Sequence, residues 1–157
     1  MSMDKSAADA FVYAKISGIL ARSFVGKKAN VLFSATSLGE LWSLLFKTDI
    51  PAVPETMLAR QLEVEAQQRF LAEYKGLLAL YAHPAPILTA LLGFYDCSNL
   101  KEIGAALCFG EKELPSLQDT APFNQIRYEK WPDIQAMTAG GPFPWYDTVP
   151  QLRDQQK

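Results

Sequence analysis

The residue types that most enzyme and metal sites require are scarce in this chain, which has one histidine and two cysteines among 157 residues. A catalytic triad, a cysteine–histidine dyad or a two-histidine metal site would depend on His83, which follows no recognisable nucleophile motif. Cys97 and Cys108 are eleven residues apart. That spacing is about three helical turns, too far to share a metal ion. We therefore expect no catalytic residue, no cofactor and no metal.

The chain also lacks an excess of basic residues. Lys and Arg number 15 against 17 Asp and Glu, which gives a formal net charge of -2. We expect no nucleic-acid partner, because no basic excess is present to neutralise a phosphate backbone. Two cysteines cannot form a disulfide framework, and charged residues interrupt the N-terminal segment where a secretion signal needs an apolar run. The composition predicts a cytoplasmic protein.

Charge is absent from residues 76–95, a run of 20 residues that is long enough to cross a bilayer. Pro84 and Pro86 lie inside this run, and each removes a backbone donor and breaks a helix. The two halves are each too short to span the membrane. We therefore predict two core helices that meet at a turn, and no direct membrane span.

Apolar residues recur at helical spacing throughout residues 1–110, and none alternates over the length of a strand. The pattern predicts an all-α protein. Capping boxes are expected at the N-termini of two helices, one at Ser6 with Asp9 and one at Ser37 with Glu40. The predicted helices run from Ser6 to near Gly26, from Ser37 to about residue 46, from Pro54 to His83, and from Pro86 to a C-cap at Gly110.

The short connection at residues 83–86 predicts that the two long helices pack as an antiparallel hairpin. We expect residues 1–110 to form a helical domain around this hairpin. Residues 111–157 are rich in proline and aromatic residues, so they predict an irregular or short-helical segment, or the start of a further helical unit. A short helix is expected to open at Pro132 and to end before Gly140.

Two segments resemble signatures of the C-subunit family of V-type ATPases, the equivalent of the vacuolar d-subunit. Tyr13 and Ala14 match a Tyr-Ala-Arg-like pattern in the first helix, with Lys15 at the arginine position. An Asp-x-x-Asn-Leu-Lys pattern appears in the later long helix, with Cys97 and Ser98 in place of an apolar–acidic pair. The resemblance covers residues 11–107, and its second motif consists of Asp96, Asn99, Leu100 and Lys101.

The resemblance implies a non-catalytic coupling subunit of a proton- or sodium-translocating rotary ATPase. Such a subunit links the membrane rotor ring to the central stalk, lies peripheral to the membrane on its cytoplasmic side, and leaves ATP hydrolysis to other subunits. Family members are considerably longer, so the chain is either a fragment or a divergent short member. In a fragment, residues after Gly110 should expose apolar surface and cause incidental self-association.

The second motif also has an interpretation from its residues alone. Asp96 and Asn99 are three residues apart and share a helical face, where their polar atoms are expected to bond a neighbouring backbone and fix the helix register. Leu100 belongs to the core stripe, and Lys101 lies on another face. These positions therefore predict a structural motif.

Two other functions fit the same sequence. A free-standing helical interaction scaffold would share every physical feature above and lack only the ATPase partners. A small-ligand binder or enzyme would need a pocket lined by convergent tyrosines. Its candidate lining residues are Tyr13, Tyr74, Tyr81 and Tyr95.

Overall fold

The computed structural model describes residues 4–146, and every regular element in this range is a helix, as predicted. The chain divides into two compact units, Met1–His83 and Pro84–Lys157, which are described separately below. In order, the elements are α1 (Lys5–Arg22), a 3₁₀ helix (Gly26–Ala29), α2 (Asn30–Phe33), α3 (Leu38–Phe46), α4 (Glu55–Leu78), α5 (Pro86–Ala90), α6 (Gly93–Phe109), a second 3₁₀ helix (Tyr128–Lys130) and α7 (Ile134–Thr138).

The first helix of the first unit begins earlier than predicted. Asp4 is the N-cap of α1, and its carboxylate accepts a hydrogen bond from the Ala7 backbone N–H at 2.9 Å. The predicted capping box at Ser6 and Asp9 is therefore wrong. The backbone of Ser23 is extended, with φ -74° and ψ 156°. It ends α1 before the predicted boundary at Gly26.

The predicted start of α3 is confirmed. Ser37 is its N-cap, and the Ser37 hydroxyl accepts a hydrogen bond from the Glu40 backbone N–H at 3.2 Å. The Glu40 carboxylate reaches one residue further out than a capping box requires, and it accepts from the Thr36 backbone N–H at 2.8 Å. On the opposite face of α3, the rings of Trp42 and Phe46 pack edge to face at a centroid distance of 4.7 Å.

The longest helix, α4, begins at Glu55, one residue after the predicted start at Pro54, and ends at Leu78, short of the predicted end at His83. Leu58 of α4 joins Trp42 and Phe46 in the core of the first unit. The Arg69 guanidinium lies 4.6 Å from the centroid of the Phe46 ring. Met57 and Phe70 fit the helical spacing of apolar residues along α4, but both are exposed.

The second unit begins with two helices where the sequence predicts one. Helix α5 ends at Ala90 and α6 begins at Gly93. Between them the amide of Leu92 bonds the carbonyl of Thr89, and the amide of Phe94 bonds that of Leu91, so the backbone is tightened to an i to i-3 pattern. Gly110 ends α6 with φ 70°, which confirms the predicted C-cap.

The segment after Gly110 folds onto α6. Leu100 and Ile103 of α6 form one core with three residues from this segment, Ile126, Met137 and Phe143. The expectation that the segment leaves its apolar residues exposed is therefore wrong for these three. The short helix expected at Pro132 is α7, which begins at Ile134.

Two sequence predictions concern the chain as a whole. The division predicted at residue 110 falls inside the second unit. The helices of the predicted hairpin belong to different units, and their antiparallel packing stays a prediction. Within residues 4–146, no helix combines the length and apolar character needed to cross a bilayer.

Candidate functional site

The strongest concentration of buried polar groups lies on α6, where the second sequence motif places Asp96 and Asn99 one turn apart. Asp96 is 0% exposed and Asn99 is 1% exposed. Buried polar groups are costly unless they are hydrogen-bonded, so their partners determine what this site can do.

Asn99 binds the backbone of the segment that follows α6. Its Nδ2 atom donates to the Gln118 carbonyl at 2.9 Å, and its Oδ1 atom accepts from the Gln118 backbone N–H at 2.8 Å. The same Nδ2 atom donates to the Tyr128 hydroxyl at 2.7 Å. The prediction that this side chain bonds a neighbouring backbone is confirmed.

Asp96 holds a second part of the same segment. Its Oδ1 atom accepts from the Thr120 hydroxyl at 2.7 Å, and its Oδ2 atom accepts from the Gln125 backbone N–H at 2.9 Å. The Tyr128 hydroxyl donates to Oδ1 at 3.5 Å and thereby connects Asp96 with Asn99. We call these residues, Asp96, Asn99, Thr120 and Tyr128, the polar centre.

The protonation of Tyr128 is consistent with its place in the polar centre. Burial raises the pKa of its hydroxyl above the ordinary value, and the charge of Asp96 acts in the same direction. The hydroxyl therefore keeps its proton at neutral pH and remains available to donate to Asp96. Because both oxygens of Asp96 already accept hydrogen bonds, the carboxylate serves as a fixed anchor for the chain around it.

The other motif residues lie outside the polar centre. Leu100 is 2% exposed and packs in the core of the second unit, whereas Lys101 is exposed. Tyr13 and Ala14 belong to α1 in the first unit, where both are exposed, and Tyr13 retains 76% of its accessible surface. The structure thus brings Asp96 and Asn99 together and gives Lys101 and Tyr13 surface positions.

Sequence reasoning missed the partners of the motif. Thr120, Gln125 and Tyr128 lie 24 to 32 residues from Asp96 along the chain, so no helical spacing connects them with it. The one available signal was the aromatic content of residues 111–146, which marked a segment with much apolar area to bury. That signal does not indicate which helix receives it.

A second anchor lies one turn further along α6. The Tyr146 hydroxyl donates to the Leu100 carbonyl at 3.0 Å. It occupies the space that a Cβ atom on Gly104 would need, so glycine permits this close approach. Both anchors hold the segment after Gly110 against the same helix.

Among residues 4–146, each unit has a surface cavity with the size of a ligand site. The larger, of about 800 Å³, is an open and mainly apolar groove in the first unit. A cleft of about 330 Å³ in the second unit is mainly polar. No tyrosine lines either one, so neither is the predicted tyrosine pocket. The groove is lined by Trp42, Pro51, Thr56, Met57, Arg60, Gln61, Val64 and Glu65.

Metal-binding side chains and thiols do not form a site in the described range. Among residues 4–146 no cluster of three or more His, Cys, Asp or Glu side chains could hold a metal ion. His83 is exposed, and Cys97 and Cys108 are half-buried and form no disulfide bond among residues 4–146. What the best-defined site can do is fix the position of one chain segment on another.

Comparison with known proteins identifies a relative in a spirochaete. A protein of Treponema pallidum (strain Nichols), described only as an uncharacterized protein, is 32% identical over 151 residues. The match covers 96% of this chain and 44% of that protein, so the chain spans less than half the length of its relative. No family model matches the chain, and no solved structure matches it.

Proposed function

We propose that this chain is part of a non-catalytic coupling subunit of a rotary V-type ATPase, which connects the membrane rotor ring with the central stalk. The observation that carries the proposal is the polar centre. Its Asp96 and Asn99 are the two polar members of the motif that resembles the C-subunit family, and both are buried and bonded to backbone.

Bonding of this kind suits an adaptor that transmits force. The bonds of Asp96 and Asn99 join α6 to residues 118–128 at several points, which opposes sliding of one segment along the other. A part that links a rotating ring to a stalk needs this resistance and needs no reactive group of its own. The anchored segment therefore supports a structural role for the motif.

The length of the relative supports the same proposal. Members of the family are longer than this chain, and the Treponema protein extends well beyond the 44% that the chain matches. The chain would then supply one part of a larger helical subunit. Contacts with the ring and the stalk would be shared with the remainder of that subunit.

The motif in the first helix, Tyr13 and Ala14, provides a test of the proposed coupling function. Tyr13 keeps 76% of its surface exposed, so a contact with another subunit is the role left for it in this proposal. An aromatic anchor at an interface contributes about 1.4 kcal/mol or more, which corresponds to a tenfold change in affinity. Tyr13→Ser should therefore weaken binding to ATPase subunits about tenfold while the fold is preserved.

The experiment is affinity purification of the tagged full-length protein from native membranes, followed by identification of the bound chains. Rotor-ring and central-stalk subunits are expected with the unaltered protein and with Phe109→Ser. Phe109 is 69% exposed and lies outside the range of the resemblance, so it is a matched control. Recovery of no rotary subunit, with the ATPase intact in the same extract, would favour a free-standing scaffold instead.

A further inference from the structure

The charges of the first unit are distributed unevenly along the chain. Residues 10–39 contain no Asp or Glu but include four basic residues, Lys15, Arg22, Lys27 and Lys28. The whole chain has 15 basic and 17 acidic residues, so the rest of it carries a formal net charge of -6. A segment of +4 in such a chain has a distinct electrostatic character.

Three of these cations lie at the end of α1 and in the short 3₁₀ helix that follows it. Arg22 is in the last turn of α1, and Lys27 and Lys28 are in the 3₁₀ helix Gly26–Ala29. The Lys28 ammonium donates to the Ala21 carbonyl at the end of α1. We call residues 22–33 the basic tip.

The basic tip also exposes large apolar side chains. Phe33 is 84% exposed, Val25 is 53% exposed and Val31 is 46% exposed. Lys27 and Lys28 lie in the 3₁₀ helix, and Val31 and Phe33 lie in α2, which follows it directly. Exposed aromatic and aliphatic side chains beside cations, with no acidic residue among them, are typical of segments that bind the membrane interface.

We propose that the basic tip binds the surface of an anionic phospholipid bilayer, with its cations at the lipid phosphates and Phe33 at the boundary between headgroups and acyl chains. The proposal does not rest on the ATPase assignment, because the tip would bind anionic lipid whatever partners the protein has. It describes a peripheral contact, which needs no spanning segment.

Charge and shape favour lipid over an acidic protein. The apolar side chains of the tip come from the turn after α1 and from the short helix α2, and none of them lines either cavity described above. An acidic helix would require a groove that receives its side chains. A bilayer requires only that cations and apolar groups point outward together, and Lys27, Lys28, Val31 and Phe33 are all exposed.

Sedimentation of the full chain with vesicles tests the proposal. Vesicles of phosphatidylcholine mixed with phosphatidylglycerol should bind the chain, vesicles of phosphatidylcholine alone should not, and high salt should release it. Lys27→Gln should lower the partition coefficient roughly fivefold, the effect of one cation near an anionic surface. Phe33→Ser should lower the partition coefficient about tenfold or more, because the variant has no apolar ring to transfer from water into the bilayer.

Matched controls lie in the second unit. Lys112→Gln changes the net charge as Lys27→Gln does, but Lys112 lies between Glu111 and Glu113. Phe109→Ser removes an exposed ring as Phe33→Ser does. Both controls should bind anionic vesicles like the unaltered chain, and circular dichroism should show that all four variants are folded.

Several results would overturn the proposal. These are an absence of vesicle binding, equal binding to neutral and anionic vesicles, and equal losses in the tip variants and the controls. Binding that resists high salt would also overturn it, because an electrostatic peripheral contact is released by salt. If the tip variants lost an acidic protein partner while no variant bound lipid, the tip would be a protein-binding surface instead.

Discussion

The Asn99 side chain and the Gln118 backbone form a pair of hydrogen bonds in opposite directions, at 2.9 Å from Nδ2 to the carbonyl and at 2.8 Å from the amide to Oδ1. The amide group of Asn99 thereby acts as the backbone of a neighbouring strand would. This pairing favours one register of residue 118 on α6, because breaking it would leave the buried side-chain amide of Asn99 without these two bonds.

Replacement of Asn99 tests how much this pairing contributes to stability. Asn99→Leu removes the hydrogen bonds of a buried amide to Gln118 and Tyr128, so it should destabilise the protein by about 1 to 3 kcal/mol more than Lys101→Ala does. Lys101 is exposed and lies two residues away on the same helix. Urea denaturation of both variants measures the difference, and equal stabilities would contradict a buried structural role for the motif.

The approach of Tyr146 to Gly104 predicts a non-additive pair of substitutions. Gly104→Ala should cost about 1 to 3 kcal/mol, because its methyl group displaces the Tyr146 hydroxyl from the Leu100 carbonyl. In a Tyr146→Phe background the hydroxyl is already absent, so the same alanine should cost less. A double-mutant cycle from denaturation curves measures the coupling. Additive effects would mean that the two residues do not meet in solution.

Local chemistry explains which parts of the fold were predictable. Ser37 and Gly110 were identified as helix ends because a side-chain cap and a left-handed glycine act through neighbours in the sequence. The break between α5 and α6 was missed, since Leu91 and Leu92 both keep helical dihedral angles and only the hydrogen-bond pattern changes. Gly93, with which α6 begins, weakens a helix, but a single glycine does not by itself predict a break.

Tertiary contacts explain what was missed. Met57 and Phe70 fit an apolar stripe on α4 as well as Leu58 does, yet only Leu58 lies against Trp42 and Phe46. Helical spacing shows which residues of α4 share a face, but only the packing partners determine which face is buried. In the candidate site, Asp96 and Asn99 were found because they belong to one helix. Their partners lie in a segment without periodicity, so only the folded chain reveals them.

The contact between Asp9 and Tyr81 predicts how stability depends on pH. Asp9 accepts hydrogen bonds from the Lys5 ammonium at 2.9 Å and from the Tyr81 hydroxyl at 3.0 Å. These two bonds hold the pKa of Asp9 below its ordinary value, and the bond from Lys5 has the larger effect. Desolvation raises the pKa of the Tyr81 hydroxyl above its ordinary value, and the bond to Asp9 raises it further by a smaller amount.

The direction of each shift sets the pH window of this contact. Because the pKa of Asp9 is lower in the folded chain, its contribution is present above about pH 4 and is lost as the pH falls through the folded value. The raised pKa of Tyr81 gives a contribution that is present below about pH 10 and is lost as the pH rises. The contact should therefore contribute most between these limits.

A pH series of urea denaturation curves tests this window. Asp9→Asn should be less stable than the unaltered chain near neutral pH, and the difference should shrink as the pH falls below about 4. Asp49→Asn removes an exposed carboxylate that forms no ion pair among residues 4–146, so it is the matched control. A difference for Asp9→Asn that stays constant across the acid range would exclude the proposed titration.

The boundary between the two units predicts which piece of the chain folds alone. The core of Leu100, Ile103, Ile126, Met137 and Phe143 lies wholly within residues 84–157, as do all partners of the polar centre. A chain of residues 84–157 should therefore melt cooperatively. Its stability should be only a few kcal/mol, since a unit of about 70 residues buries a small core.

A shorter chain of residues 84–110 is the contrasting case, because it keeps α6 but removes the segment that covers it. Asp96 and Asn99 then lose their partners and the apolar face of α6 faces water, so this peptide should show little helix and no cooperative melting. Circular dichroism melts of the two chains give the comparison. If both were equally helical and melted alike, the segment after Gly110 would contribute nothing to α6, and the polar centre would not be what holds this unit together.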